Sequence, residues 1–251
     1  MTAAARNAVL LMIFLCSLLE GANVVQFGSI KIRTSLEASP AVLRSTAGSG
    51  MYSGGGVSLV NNRWLAVQVS FMPGAVDSRV AGAAMKTGNV KSVVAVPGRW
   101  IDDVTMRVSV AFPAANARRS NVVYGLFEGN TCFWSIKLDG RRHNAMMFVP
   151  PQLIERYAAS VTTGRKELQL GVTDFIVFVE FADSNGAVLG RSCSRNSGDI
   201  SGMYKFFQTL KKSPAATVVR GALLPRSKSP WAWHLPSTFD YIKDTAAEKT
   251  L

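Results

Sequence analysis

Histidine and cysteine are scarce in this chain, and neither is arranged for chemistry. His143 and His234 are the only histidines among 251 residues, and Cys16, Cys132 and Cys193 are the only cysteines. Neither HExxH nor CxxC occurs, so no metal-ligand spacing is written locally. GxSxG is also absent, and the serines near Gly50 to Gly54 lie in a flexible-looking glycine-rich stretch. The Gly54-Gly55-Gly56 run lacks the Lys-Ser/Thr that a phosphate loop requires. No catalytic, cofactor-binding or metal residue is therefore assigned, and the chain is read as a non-enzyme.

Acidic residues are outnumbered, 16 against 28 Lys and Arg, which gives a net charge of +12. The tempting acidic pair is Asp102-Asp103, but adjacent strand residues point to opposite faces, which suits neither glycosidase geometry. A strand start or a local turn contact fits it better. Glu128, Glu155 and Asp174 are isolated in sequence.

Long apolar runs are missing everywhere except at the start. There Arg6 precedes an apolar run from Ala8 to Leu19, followed by small residues at Gly21 and Ala22. That length matches a signal-peptide core, whereas a bilayer span takes roughly 20 residues. Residues 1–22 are read as a signal peptide, with an uncleaved anchor or a buried helix as alternatives because Glu20 spoils the cleavage site. Cys16 lacks the small preceding residues of a lipoprotein site. Removing 22 residues leaves 229, enough for one substantial core, and the charge stays at +12 because Arg6 and Glu20 leave together. The expected location is exported, in the periplasm or at the cell surface. A pI near 10 raises nucleic acid as a partner, but export and the scatter of basic residues argue against it. Anionic envelope surfaces, an anionic glycan or an acidic protein suit the charge better, and a basic surface without a dedicated ligand is the plain alternative. Membrane association is expected only if the leader stays uncleaved.

What the sequence does contain is strand patterning. In residues 99–112, RWIDDVTMRVSVAF, the apolar Val104, Met106, Val108, Val110 and Phe112 alternate with Thr105, Arg107, Ser109 and Ala111. This predicts a strand with one face on a core and a mostly polar face outward. Residues 24–34 predict a first strand whose apolar phase shifts at Gly28-Ser29, as a β-bulge would cause. Residues 64–71 form the next, with Leu65, Val67, Val69 and Phe71 on one face. Residues 73–97 read as an insertion with at most a short strand at 90–96. Residues 122–138 predict one bent strand or two, interrupted at Gly125 and Gly129, and Asp139-Gly140 turns the chain into a partner strand over 141–149. Asn185-Gly186 joins strands at 175–181 and 187–194, and 218–224 predicts a closing strand.

Two short helices interrupt this pattern. Residues 150–157 form one, with Pro151 in its first turn. Residues 199–212 form the other, capped by Asp199 or Ser201, with Met203, Phe206, Phe207 and Leu210 as a stripe for core packing. Short strands, hairpin turns and few helices favour a mainly β fold, an antiparallel β-sandwich over residues 23–224. Residues 225–251 then form a basic, Trp-bearing tail.

Two features of this body invite partner or redox readings. Trp231 and Trp233 share one face of an extended segment, with Arg226, Lys228 and His234 as a basic edge, so these five are candidate partner-docking residues. The alternative is that the tail folds back and the indoles cover the sandwich. Cys132 and Cys193 lie in predicted strands and are candidates for a disulfide, with two buried free thiols as the alternative.

Four segments occur in a familiar order: Trp100-Ile-Asp-Asp-Val-Thr-Met, Gly125-Leu-Phe-Glu-Gly-Asn-Thr-Cys-Phe-Trp134, Gly140-Arg-Arg-His143 and Phe148-Val-Pro-Pro-Gln-Leu-Ile-Glu-Arg-Tyr157. Over residues 60–195 this pattern resembles the immunoglobulin-like exported proteins associated with type IV pilus gene sets in Verrucomicrobia, including the Akkermansia group. The insertion at 73–97 and the tail depart from it. The resemblance implies an immunoglobulin-like sandwich in the cell envelope, linked to pilus assembly or surface attachment, with envelope or pilus-associated proteins as partners and a homo-oligomer as an expected state. It supplies no catalytic residue. The chain does not read as a type IV pilin itself, because its apolar run precedes Glu20-Gly21 and β-type sequence follows. A carbohydrate-binding sandwich is the alternative function.

Overall fold

Two sheets face each other across a core of alternating strand residues, in a computed structural model that describes residues 23–38, 63–77, 93–114, 123–158, 161–163, 166–168, 171–195, 198–232 and 242–243. Strands β1 (Asn23–Ala38), β2 (Arg63–Asp77), β5 (His143–Val149) and β11 (Leu224–Pro225) form the first sheet in the order β1-β2-β5-β11. The second runs β10-β4-β3-β8-β9, from β3 (Trp100–Pro113), β4 (Tyr124–Lys137), β8 (Ile176–Ala182), β9 (Val188–Cys193) and β10 (Val218–Arg220). A further strand, β12 (Ile242–Lys243), pairs with β4. Among the described strands, β6 (Val161–Thr163) and β7 (Lys166–Leu168) pair only with each other. Helices α1 (Pro151–Tyr157) and α2 (Ile200–Lys212) complete the β-sandwich. Among the described strands all pairings are antiparallel except β10 with β4.

The alternation in β3 does what the sequence predicts on its inner side. Val104, Met106, Val108, Val110 and Phe112 are fully buried in the central cluster with Phe27, Leu65, Val67, Phe71, Phe127, Phe133 and Phe181. Removing that apolar area from water stabilises the sandwich by roughly 25 cal/mol per Å². The outer side is less polar in practice than in pattern. Ala111, Leu126, Ile176, Phe178 and Cys193 form a second buried cluster there with Ile200, Met203 and Phe207 of α2. The helical stripe therefore packs on the sheet's back, and Ser109 is buried near it. Asp199 caps α2, its carboxylate accepting from the Gly202 N–H at 2.8 Å, which satisfies one orphan donor of the first turn.

The phase shift in β1 is a bulge. Pairing with β2 slips between Gly28 and Lys31, and Ser29 takes a φ of 48°. The bend brings β1 against the edge of β9, where Ser192 Oγ donates to the Ile30 carbonyl at 3.0 Å.

Several expectations need correction. β2 does not end at Phe71 but continues to Asp77, because β1 keeps pairing with it as far as Asn23. Of the short strand expected at 90–96, residues 90–92 lie outside the described residues, and the rest forms a single bridge between Val94 and Ala75. β4 is continuous across Gly125 and Gly129, in one register with β3 from Trp100↔Lys137 to Pro113↔Tyr124. The closing strand divides into β10 and β11, which join opposite sheets. The boundary drawn at 224 falls inside β11, and β12 brings part of the tail back to β4. Residues 1–22 lie outside the described residues.

The disulfide is also corrected: Cys132 and Cys193 are free. Cys132 is on β4 and Cys193 on β9, with β3 and β8 between them. Three interstrand steps of about 4.8 Å far exceed the roughly 7 Å that a disulfide allows between Cα atoms.

Candidate interaction surface

The docking residues expected in the tail separate on folding. The outer face of β5 carries Phe148, fully buried yet outside the central cluster. Trp231 covers it: the two rings stack with centroids 4.5 Å apart and planes 3° apart, and Trp64 meets Trp231 edge-on at 5.7 Å. Arg226 is buried beneath the same turn and holds it, donating from Nε to the Trp231 carbonyl at 2.9 Å and from Nη2 to the Ala232 carbonyl at 3.2 Å. Burial lowers the pKa of its guanidinium. Trp231 and Arg226 are thus cover and clamp for the first sheet, which corrects their reading as an exposed dock. Lys228 is exposed on the adjoining 3-10 turn. Trp233 and His234 lie outside the described residues.

Among the described residues the exposed indoles are elsewhere, on the β3–β4 ribbon. Inward positions in this ribbon step by two from Val104 to Phe112, but by three from Ile101 to Val104 and from Phe133 to Ile136. The break coincides with Asp103, whose φ is 51°, and leaves both Asp102 and Asp103 exposed at the strand's start. Trp134 and Lys137, each following an inward residue, turn away from the core. Trp100 is 54% exposed and Trp134 is 52% exposed. Lys137 stands opposite Trp100 in register, its Nζ 5.9 Å from the indole centroid, a cation–π contact at an open site. Trp134 falls three residues further along the ribbon, roughly 10 Å at 3.3 Å per residue.

Beside these aromatics on the same sheet runs a charged row. Arg107, Glu180 and Arg191 are register neighbours on β3, β8 and β9. Glu180 accepts from Arg107 at 3.1 Å and from Arg191 at 2.7 Å, while the Arg191 guanidinium lies 4.3 Å from the Tyr204 ring of α2. Lys211 reaches Glu128 at 2.6 Å. These pairs tie the helix to the sheet and leave the row with an excess of positive charge.

Catalytic geometry is not assembled by these residues. Asp139 and His143 meet at 3.0 Å across the β4–β5 turn, with His143 stacked on Phe71. Burial opposes ionisation of Asp139, but the His143 hydrogen bond, the Arg141 N–H and the electrostatic attraction of the two residues outweigh it and hold the carboxyl below its ordinary value. The pair fixes the turn. Burial pushes the Cys193 thiol up against two backbone hydrogen bonds, which suits core filling and not a nucleophile. Among the described residues no group of three His, Cys, Asp or Glu could hold a metal ion, and no helix is long and apolar enough to cross a membrane.

The sequence contained one usable signal for the exposed surface. Phe133 and Trp134 are adjacent, so only one can face the central core. Choosing Trp134 as the outward residue requires the β3–β4 register, which is not local information.

Comparison with known proteins supports the fold. The chain is similar to a crystal structure of a protein from Akkermansia muciniphila, with a TM-score of 0.56 and 15% sequence identity, over 88% of this chain and 95% of that one. At that identity the likeness is one of fold, a β-sandwich with few short helices. No family model matches the chain, and no curated protein matches it significantly.

Proposed function

We propose that the chain is an exported, non-enzymatic envelope protein that binds a protein partner through the ribbon surface of Trp100, Trp134 and Lys137, in the service of type IV pili or surface attachment. The observation that carries the reading is the pair of half-exposed indoles on one ribbon, in a chain that packs Trp64 and Trp231 against each other. Tryptophan is enriched among the few residues that dominate the energetics of protein interfaces, and a large apolar ring held in water gains most from being covered. The leader-like N-terminus and the sequence resemblance to exported pilus-associated proteins support the location and the pilus link. The same indoles beside Lys137 also suit stacking on an anionic glycan, the second reading.

The test is proximity labelling in intact cells, comparing the native chain with a Trp100→Ala/Trp134→Ala variant. The proposal expects labelled envelope proteins whose recovery collapses in the variant while its thermal midpoint stays within a few degrees. Equal labelling by both chains overturns it. Retention on an anionic glycan array that disappears in the variant, without loss of labelled proteins, replaces it with the glycan reading. Labelling confined to cytoplasmic proteins removes the exported location.

A further inference from the structure

Sheet edges need protection, because their unpaired N–H and C=O groups template pairing with another chain. Three edges of this sandwich are guarded. β10 and β12 cover the outer side of β4, the bulged part of β1 lies against β9, and the opposite edge of the first sheet is β11, two residues ending in a proline. The fourth edge is different. Over residues 31–38, β1 pairs only with β2 among the described strands, in unbroken register and without proline. Among the described residues no further strand covers this stretch, and its exposed Lys31 and Arg33 are edge charges that disfavour pairing unless a partner sets an acidic residue opposite them.

The sequence of that stretch is complementary to itself. Residues 31–37 read KIRTSLE, with Lys31, Arg33 and Glu37 exposed and Ile32, Thr34 and Leu36 half-buried. Ile32 and Leu36 already pack against the central core from its margin. Laying a second β1 antiparallel about Thr34 sets Lys31 opposite Glu37 of the other copy, Ile32 opposite Leu36, and Thr34 opposite Thr34. Arg33 then lies diagonal to the same Glu37. Residues on one face stay on one face, because paired positions in this register are all of equal parity. Each contact occurs twice about the two-fold axis, as an isologous interface requires.

We infer that a second copy of this chain docks on β1, joining the two four-stranded sheets edge to edge through residues 31–37. Opposed charges and aliphatic pairs across such a seam are the ordinary units of sheet pairing. The inference does not rest on the Trp100–Trp134 surface, which is on the other sheet.

Charge reversal in trans tests it. A Lys31→Glu chain places Glu opposite Glu, and a Glu37→Lys chain places Lys opposite Lys, so each alone should dimerise about tenfold more weakly than the native chain. Mixed in equal amounts, the two variants restore both attractive pairs and should recover the native dimer in sedimentation velocity. Thr34→Cys should form an intermolecular disulfide on mild oxidation, since the two residues face each other within disulfide reach. Lys31→Cys should not, because its copies lie about 20 Å apart along the strands. A native chain that stays monomeric at about 100 μM overturns the inference. So does a dimer that Thr34→Cys fails to trap, or one whose variants do not rescue each other.

Discussion

The indole of Trp231 lies flat on the ring of Phe148, 4.5 Å between centroids, and so seals the back of the first sheet with residues that sequence proximity assigns to a free tail. Truncating Trp231 to Ala uncovers Phe148 and removes the edge contact with Trp64. The expected cost is about 2–4 kcal/mol, typical of losing a large packed aromatic. Urea unfolding measures it as a lower midpoint at unchanged slope. A change below about 0.5 kcal/mol would mean that this turn does not dock.

The second apolar cluster makes a matching claim about α2. Phe207 is fully buried between helix and sheet, its ring 5.4 Å from that of Phe178. Phe207→Ala should cost about 3–4 kcal/mol. Hydrogen exchange should show loss of protection concentrated in α2 and the outer side of β8. Uniform loss across both sheets would mean that the helix is not the locally weakened unit.

Much of this architecture is legible because local patterns coincide with single buried faces. Val104 to Phe112 alternates on one core, the β1 phase shift marks the bulge at Ser29, and Asp199 announces α2. Legibility fails where both faces are covered. Residues 175–179 are all buried, since one side meets the central core and the other meets α2, so period-2 reading cannot say which residue faces which layer. It fails again for strand order, which separates Cys132 from Cys193, and for Trp231, whose partner lies 83 positions away in the chain. The exposed pair Trp100 and Trp134 was within view but needed the β3–β4 register to be recognised as one surface.

Strand order also makes a chemical prediction. Unfolding the chain without reductant and alkylating it should modify both Cys132 and Cys193, with tandem mass spectrometry locating the adducts. In the folded state Cys132 should react ahead of Cys193, which is buried and whose thiol burial pushes upward. An intramolecular Cys132–Cys193 peptide would contradict the order β4-β3-β8-β9.

Gly129 keeps β4 continuous where the chain after β10 crosses it. A Cβ at this position would lie 2.5 Å from the Leu223 carbonyl oxygen and 2.6 Å from its Cβ. The Ala222 N–H donates to the Glu128 carbonyl at 2.9 Å, so the crossing segment is tied down and cannot simply step aside. Gly129→Ala should therefore destabilise by about 1–3 kcal/mol through overpacking. Gly186→Ala, with open space around its Cβ but a φ of 81°, should suffer from backbone strain alone, about 1 kcal/mol. Thermal midpoints of the two variants check the ranking.

Asp139 gives the fold a pH dependence whose direction follows from its partners. Its carboxyl is held below the ordinary 3.8 of an unfolded aspartate, despite burial, by His143 and the Arg141 N–H. The folded state therefore binds this proton less readily than the unfolded state. Its contribution is fully present above about pH 4 and is lost as pH falls through the lowered folded value. Asp139→Asn should destabilise by about 1–2 kcal/mol near pH 5, where the charged hydrogen bonds are intact in the native chain. The gap should narrow near pH 3, below the unfolded value, because the unfolded chain then takes up the proton more readily than the folded one and the contribution of the ionised Asp139 declines. Urea midpoints of both chains at the two pH values measure this. A gap that stays constant, or widens on acidification, would show that the His143–Asp139 pair does not stabilise the β4–β5 turn through its charge.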